Sequence, residues 1–263
     1  MDRKVLLALY DKEQRIDIEY PDLFKEVNRG VVRFTGPVER HSSSFVLYSR
    51  LTDENADDVI RAQIAYYRRY GLPFEWKVYD HDTPPDLRER LLVHGFKPRE
   101  RDAIMVLNMR EASMAILQPV EEDVRRLTEP GQVKILIALL EDVWQTDFSG
   151  LRTLLEEDLW KRPSFSSIYT AYVDNVPACV GWIQFPENSQ FASLWGGSTL
   201  PQYRDRGLYK AVMATRVQEA IRKGYSFLTI DASRMSRPIA EKYGFHLLTY
   251  AHACMWHPKQ RDS

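Results

Sequence analysis

Cysteine is nearly absent. Cys179 and Cys254 are the two in 263 residues, with no C-x-x-C spacing and no clustered histidine, which excludes a disulfide framework and a zinc site. Each sits in an apolar run, where a free thiol packs as a small hydrophobe. Long apolar stretches are missing too. VLLALY (5–10) is too short for a signal-peptide core and far too short to span a bilayer, so a cytoplasmic protein without a membrane partner is expected. Net charge is small: 36 Lys and Arg against 37 Asp and Glu leave −1. The chain therefore carries no basic field for nucleic acid. Neither G-x-x-x-x-G-K-S/T nor G-x-G-x-x-G occurs, which removes two common phosphate loops. What remains is 44% hydrophobic, 28% charged and 12% aromatic, the balance of a globular protein with well-filled cores.

Two stretches echo each other. The first is ADDVIRAQIAYYRRYGLPFEWKVYDHD, then PPDLRERLLVHGF and KPRERDAIMVLNM. The second is RGLYKAVMATRVQEAIRKGYSFLTIDAS, then MSRPIAEKYGF and HLLTYAHACMW. Each reads as helix, Gly, strand, short helix closed by Gly-Phe, and final strand. Gly71 and Gly224, then Gly95 and Gly244, fall where C-terminal caps belong. The spacing, about 150 residues, suggests two similar domains and not a solenoid. NMREASMAILQPV loses periodicity, which places the division at 1–112 and 113–263. In the second part, VRRL (124–127) reads as a strand, followed by helices over 133–143 and 151–161. SIYTAYV and PACVGWIQF read as strands about an Asp174-Asn175 turn, and FASLWGG as another. Gly207 to Lys223 reads as a helix with Met213, Val217, Ala220 and Ile221 on one face. FLTIDA, Ser236 to Tyr243 and LLTYAHACMW complete a mixed α/β (α+β) fold in which a central sheet is flanked by helices.

The loop between the last two long elements, TLPQYRDRGLYK (199–210), brings Arg204, Arg206 and Gly207 to the start of a helix. The first amides of a helix lack internal partners, and its dipole adds positive charge there. An exposed glycine lets backbone approach an anion, and two arginines can pair with phosphate oxygens. A pyrophosphate fits this combination; two solvated arginines at an ordinary helix start are the plainer alternative.

R-D-R-G-L-Y (204–209) resembles the acyl-CoA signature Q/R-x-x-G-x-G/A of the GNAT superfamily of N-acetyltransferases, and AEKYGF (240–245) resembles the family's Y-E-K-x-G-F. The resemblance covers roughly residues 120–263. Tyr209 departs from the small residue that usually ends the signature. The resemblance implies tandem GNAT-like domains, the first degenerate, and acetyl-CoA as cosubstrate with no metal. The pantetheine arm falls on Gly197, Ser198 and Thr199, and the pyrophosphate on Arg204, Asp205, Arg206, Gly207, Leu208, Tyr209 and Lys210. Ser233 occupies a position where the family often contacts CoA through Asn. The acceptor is a small-molecule or peptide amine, and oligomeric state is not legible.

The family's usual general acid, the Tyr of Y-E-K-x-G-F, is Ala240 here. A thiol ionises near pKa ~8.5, so a thiolate still leaves without a donor. Tyr243 lies three residues on, near the same helical face, where it serves equally as core. Asp231, ending FLTID, is the base candidate, with a turn or cap role as its alternative. His246 and His252 alternate with apolar residues on the final strand and read as packing or surface residues. Trp144, Trp182 and Trp195 read as core or as the lining of an acceptor pocket. The first half's equivalent loop, SRLTDENADDVIRA (49–62), has no Gly and carries Asp53, Glu54, Asp57 and Asp58, which repel a pyrophosphate. That half is expected not to bind acyl-CoA in the family's manner. The alternative to an acetyltransferase is a non-catalytic acyl-CoA-binding or interaction module.

Overall fold

The computed structural model describes residues 2–37 and 44–258. The chain packs as two compact units, 1–104 with 247–263, and 105–246.

The first unit begins with helix α1 (Arg3–Tyr10), capped by the Asp2 carboxylate on the Lys4 amide, and a π-helical turn, Asp11–Ile16. β1 (Phe24–Asn28), β2 (Val31–Thr35) and β3 (Phe45–Ser49) follow, then α2 (Ala56–Arg69), β4 (Phe74–Tyr79) and α3 (Leu87–Val93). β5 (Lys97–Asn108) begins in this unit and ends in the second. The strand order is β1-β2-β3-β4-β11, where β11 (His246–Trp256) is the last strand of the chain. Alternation along the strands divides the apolar side chains between two faces. Val46, Phe74 and Trp76 pack with Ile60, Ile64 and Leu91 of α2 and α3, while Val32, Phe34 and Leu47 pack with Ile18.

The linear division at 112/113 thus differs from the packing. β11 pairs antiparallel with β4, from Ala251–Tyr79 to Trp256–Phe74, and carries residues 247–256 into the first unit. A strand's partner is a long-range choice that local periodicity does not encode.

The second unit contains α4 (Met114–Leu117), β6 (Val124–Leu127), α5 (Val133–Trp144), α6 (Ser149–Lys161), β7 (Ser166–Val173), β8 (Val176–Gln184), β9 (Phe191–Thr199), α7 (Leu208–Arg222), β10 (Phe227–Ala232) and α8 (Arg237–Lys242). Its strand order is β10-β9-β8-β7-β6, antiparallel except for the parallel pair β9–β10. Asp174 and Asn175 both have positive φ, 49° and 65°, and close the β7–β8 hairpin as a primed turn. α5 and α6 cover one face through Leu136, Leu140 and Leu155 against Ile168 and Trp182; α7 covers the other through Leu208 and Val212 against Tyr169 and Cys179. On α7, Met213, Val217 and Ala220 are buried as the spacing predicts, but Ile221 is 40% exposed in the last turn. Arg216 and Glu219 are buried instead. Glu219 accepts hydrogen bonds from Ser167 and Tyr169 on β7, at 2.8 and 3.0 Å.

Candidate active site in the second unit

The sheet of the second unit opens just before the arginine loop. β9 and β10 pair from Phe191–Phe227 to Leu194–Ile230 and no further. β9 runs on through Trp195–Thr199 and β10 through Asp231 and Ala232. The register against β8 slips at the same place: Trp182 faces Trp195 while Val180 faces Ser198, so β9 carries one extra residue. Gly196 absorbs it with φ +60°, and a Cβ there would stand 1.8 Å from the Trp182 ring. Arg216 holds the bulge from the α7 side. Its Nη1 donates to the carbonyls of Trp182 and Trp195, both at 3.0 Å, and its Nε to that of Val212 at 3.1 Å. Burial lowers the pKa of this guanidinium.

Side chains around the opening are largely committed. The Trp144 indole donates to Ser198 Oγ at 2.9 Å from the end of α5, and Thr199 Oγ1 donates to Cys179 Sγ at 3.1 Å. Burial pushes that thiol up to about 11, with the Thr199 hydrogen bond opposing, so Cys179 is an inert packing residue. Trp144 and Trp195 are 49% and 36% exposed whereas Trp182 is buried. Two of the three tryptophans are thus surface groups beside the opening, and one is core.

The loop follows within a few residues. Pro201–Tyr203 form a 3-10 turn; Arg204 Nε donates to the Thr199 carbonyl at 3.4 Å; the Arg206 guanidinium lies 5.4 Å from the Tyr203 ring centre. Asp205 and Gly207 take left-handed φ of 62° and 80°. The first amide bonded back from α7 is that of Ala211, to the Gly207 carbonyl at 2.9 Å. The amides of Leu208, Tyr209 and Lys210 therefore stand at the helix mouth, where a dipole of positive sign adds to the arginines. Arg204, Arg206 and Lys210 are exposed, while Leu208 is core.

Tyr209 takes an inward position. Its ring lies against Gly197, where a Cβ would come within 2.6 Å of Cε2 and 3.3 Å of the hydroxyl. Tyr at the signature's last position and Gly on the strand are therefore a matched pair. Glu122 is the residue that sequence reasoning missed. Its Oε1 would stand 3.1 Å from a Cβ on Gly207, which places a carboxylate at the same helix mouth. No local pattern links positions 85 residues apart.

On the opposite strand, Asp231 comes one residue after the last paired position and is half-buried. The Ser233 hydroxyl is engaged with Ser236 at the start of α8, at 3.2 Å to its hydroxyl and 3.3 Å to its amide. Ala240 is fully buried, and Tyr243 is 8% exposed. His246 is exposed. His252 belongs to the first unit, where its Nε2 meets Asp80 at 3.0 Å. Among the described residues no group of three or more His, Cys, Asp or Glu is placed to hold a metal ion, and no helix is long and apolar enough to cross a membrane.

The first unit has a comparable parting of parallel strands, with β3 and β4 paired only at Phe45–Glu75 and Val46–Trp76. There the chain supplies its own cation. Arg15, from the π-helical turn, donates to the Leu47 carbonyl at 3.1 Å and to both oxygens of Asp82 at 2.7 and 2.8 Å. Its guanidinium lies 3.7 Å from the Tyr79 ring centre. At the start of α2, Arg90 bonds Asp53, Asp57 and Asp86, and His94 bonds Asp57. Arg90 and His94 thus occupy carboxylates of the acidic loop from within the unit.

Residues 134–245 match the family described as the acetyltransferase (GNAT) family. No curated protein sequence matches the chain. Among solved structures, a GCN5-related N-acetyltransferase from Kribbella flavida is similar at TM-score 0.67 and 13% identity, over 99% of this chain and 95% of that one. A conserved protein of unknown function from Staphylococcus epidermidis is similar at TM-score 0.69 and 10% identity, over 96% and 99%. A tandem GNAT protein from the clavulanic acid biosynthesis pathway is similar at TM-score 0.61 and 9% identity, over 93% and 86%. At these identities the likeness is one of fold.

Proposed function

We propose that this chain, whose residues 134–245 match the GNAT acetyltransferase family and whose fold is similar to that of a tandem GNAT protein, transfers an acetyl group from acetyl-CoA to the nitrogen of a small-molecule or peptide amine. The observation that carries the reading is the parting of β9 from β10 beyond Leu194–Ile230, immediately upstream of the α7 mouth. The residues present fit the cosubstrate. The backbone of Gly197, Ser198 and Thr199 is the edge along which an amide-bearing arm can lie. The amides of Leu208, Tyr209 and Lys210, with Arg204 and Arg206, form the anion seat. The thioester supplies an acyl group activated for attack by a neutral amine.

The chain's own contribution is position and charge. Arg216 and Gly196 fix the bulge that turns β9 backbone toward the opening, and amides there polarise a carbonyl as developing negative charge. Asp231, on the facing strand, is the carboxylate that takes the proton lost from nitrogen once the neutral amine has attacked, directly or through water. One observation favours a binding module instead: Ala240 puts a buried methyl where the resemblance expects a phenol. Turnover with an amine panel separates the two readings, because a module binds without consuming thioester.

The test of the seat is calorimetric titration of acetyl-CoA into the wild type and Gly207→Glu, with folding of both verified by circular dichroism. Binding in the micromolar range, abolished in a folded Gly207→Glu, supports the reading. Equal binding by both proteins, or by neither, refutes it.

A further inference from the structure

Breaking a thioester leaves an electron pair on sulfur, and the group that meets it decides how easily it departs. A phenol stands beside the unpaired stretch of β9 in the second unit. Tyr209 Oη belongs to a side chain turned from the first turn of α7 onto Gly197, on the part of β9 that has left its ladder with β10. Among the described residues it makes no hydrogen bond, although its ring packs onto Gly197 and against Cys179. The side chain is partly exposed, so this hydrogen is open to an incoming acceptor. Of the neighbouring hydroxyls, Thr199 donates its hydrogen to Cys179, and Ser198 is held by the Trp144 indole, from which it accepts.

We propose that Tyr209 Oη–H is the hydrogen-bond donor to the departing sulfur of coenzyme A. The proposal rests on the acetyltransferase reading above. The amine nitrogen forms its bond to the carbonyl carbon, the C–S bond breaks, and its electron pair stays on sulfur. The Tyr209 hydroxyl donates to that pair without surrendering its proton. The ammonium proton passes to Asp231 or water, and solvent completes the thiol once it is released. Retention of the phenolic proton follows from acidity: burial pushes Tyr209 above its ordinary 10.0, with Arg216 opposing, while a thiol ionises near ~8.5. The donor therefore stabilises thiolate, as oxyanion-hole donors stabilise alkoxide. Tyr243 is a second phenol in the neighbourhood, from α8, and its hydroxyl also lacks a hydrogen bond among the described residues. Geometry selects Tyr209, because the atoms nearest the side-chain direction of Gly197 are its ring and hydroxyl and not those of Tyr243.

The experiment needs no acceptor. Coenzyme A bound to the wild type, Tyr209→Phe and Tyr243→Phe is titrated through its thiolate ultraviolet absorbance, with desulfo-coenzyme A complexes as blanks. Calorimetry first establishes that each protein binds. The thiol in the wild type is expected to ionise about tenfold more readily than in Tyr209→Phe, equivalent to about one pH unit, with affinities for acetyl-CoA within about twofold. Tyr243→Phe is expected to match the wild type. Identical thiol titration in wild type and Tyr209→Phe, or a shift produced by Tyr243→Phe instead, overturns the assignment while leaving the binding reading intact. Absence of binding by the wild type overturns the binding reading itself, and the calorimeter reports it before any titration.

Discussion

Alanine at position 197 would have its Cβ 2.6 Å from Tyr209 Cε2, closer than real side chains come. The ring cannot simply retreat, because its helix is fixed by Leu208 and Val212 against Cys179 and Tyr169. Overpacking of this kind costs about 1–3 kcal/mol. Tyr209→Ala removes a partly exposed ring and costs roughly 1–3 kcal/mol, below the range for wholly buried aromatics. In the double variant the new methyl enters space the ring has left, so the first penalty disappears. The expected coupling is about 1–3 kcal/mol in favour of the double variant, which should be no less stable than Tyr209→Ala alone. Urea unfolding of the four proteins, followed by tryptophan fluorescence, measures it. Strictly additive losses, or a Gly197→Ala protein as stable as wild type, would refute the close approach and with it the placement of the phenol.

Glu122→Gln removes the carboxylate at the mouth of α7; acetyl-CoA should bind about 2- to 5-fold tighter, the range expected for one charge near a helix end. The gain should shrink as salt rises, and calorimetry showing weaker binding would count against an anion seat there. Arg15→Met leaves the buried Asp82 carboxylate unpaired, which should cost about 3–5 kcal/mol in urea unfolding, with part recovered in Arg15→Met/Asp82→Asn. Burial pushes the Asp11 carboxyl up, but the His81 hydrogen bond and the Arg15 charge outweigh it and hold it below 3.8. A depressed carboxylate stabilises the fold above its unfolded value and loses that contribution as pH falls through the folded value. Acid unfolding below pH 3.8 should therefore be shallower in His81→Ala, and an unchanged acid limb would show that the pair does not matter.

The second unit was readable almost element by element because its punctuation is strong. Pro163 stops α6, the Asp174-Asn175 turn closes a hairpin, and Gly224 and Gly244 end helices with φ of 83° and 98°. The arginine loop was readable because its chemistry is local: cations, glycine and helix start lie within a few residues. Residues 1–50 resisted for the opposite reason. β1, β2 and β3 are five-residue strands, too short for periodicity to separate from a buried helical run. What acts at long range stayed hidden. Arg216 looks like a surface cation in the sequence, yet it pins the β9 bulge from within the core. Tyr209 looked like a misfit in a signature until Gly197 was found beneath it. Arg15 and Glu122 act across 32 and 85 positions respectively, on Leu47 and Gly207.

The pairing of β11 with β4 also places the first unit under a timetable. At the ribosome's pace of about 5–20 residues per second, its other strands wait roughly ten to thirty seconds for residues 247–256 to emerge. Until then Trp76 and Phe74 lie on a strand whose outer edge is unpaired, an edge that invites foreign strands. The second unit faces no such delay, since β6 to β10 lie within one uninterrupted span of chain. The unit that holds β6 to β10 can be complete while the unit beginning the chain is still unfinished. A nascent chain halted just after residue 246 would then hold the second unit folded and the first one open.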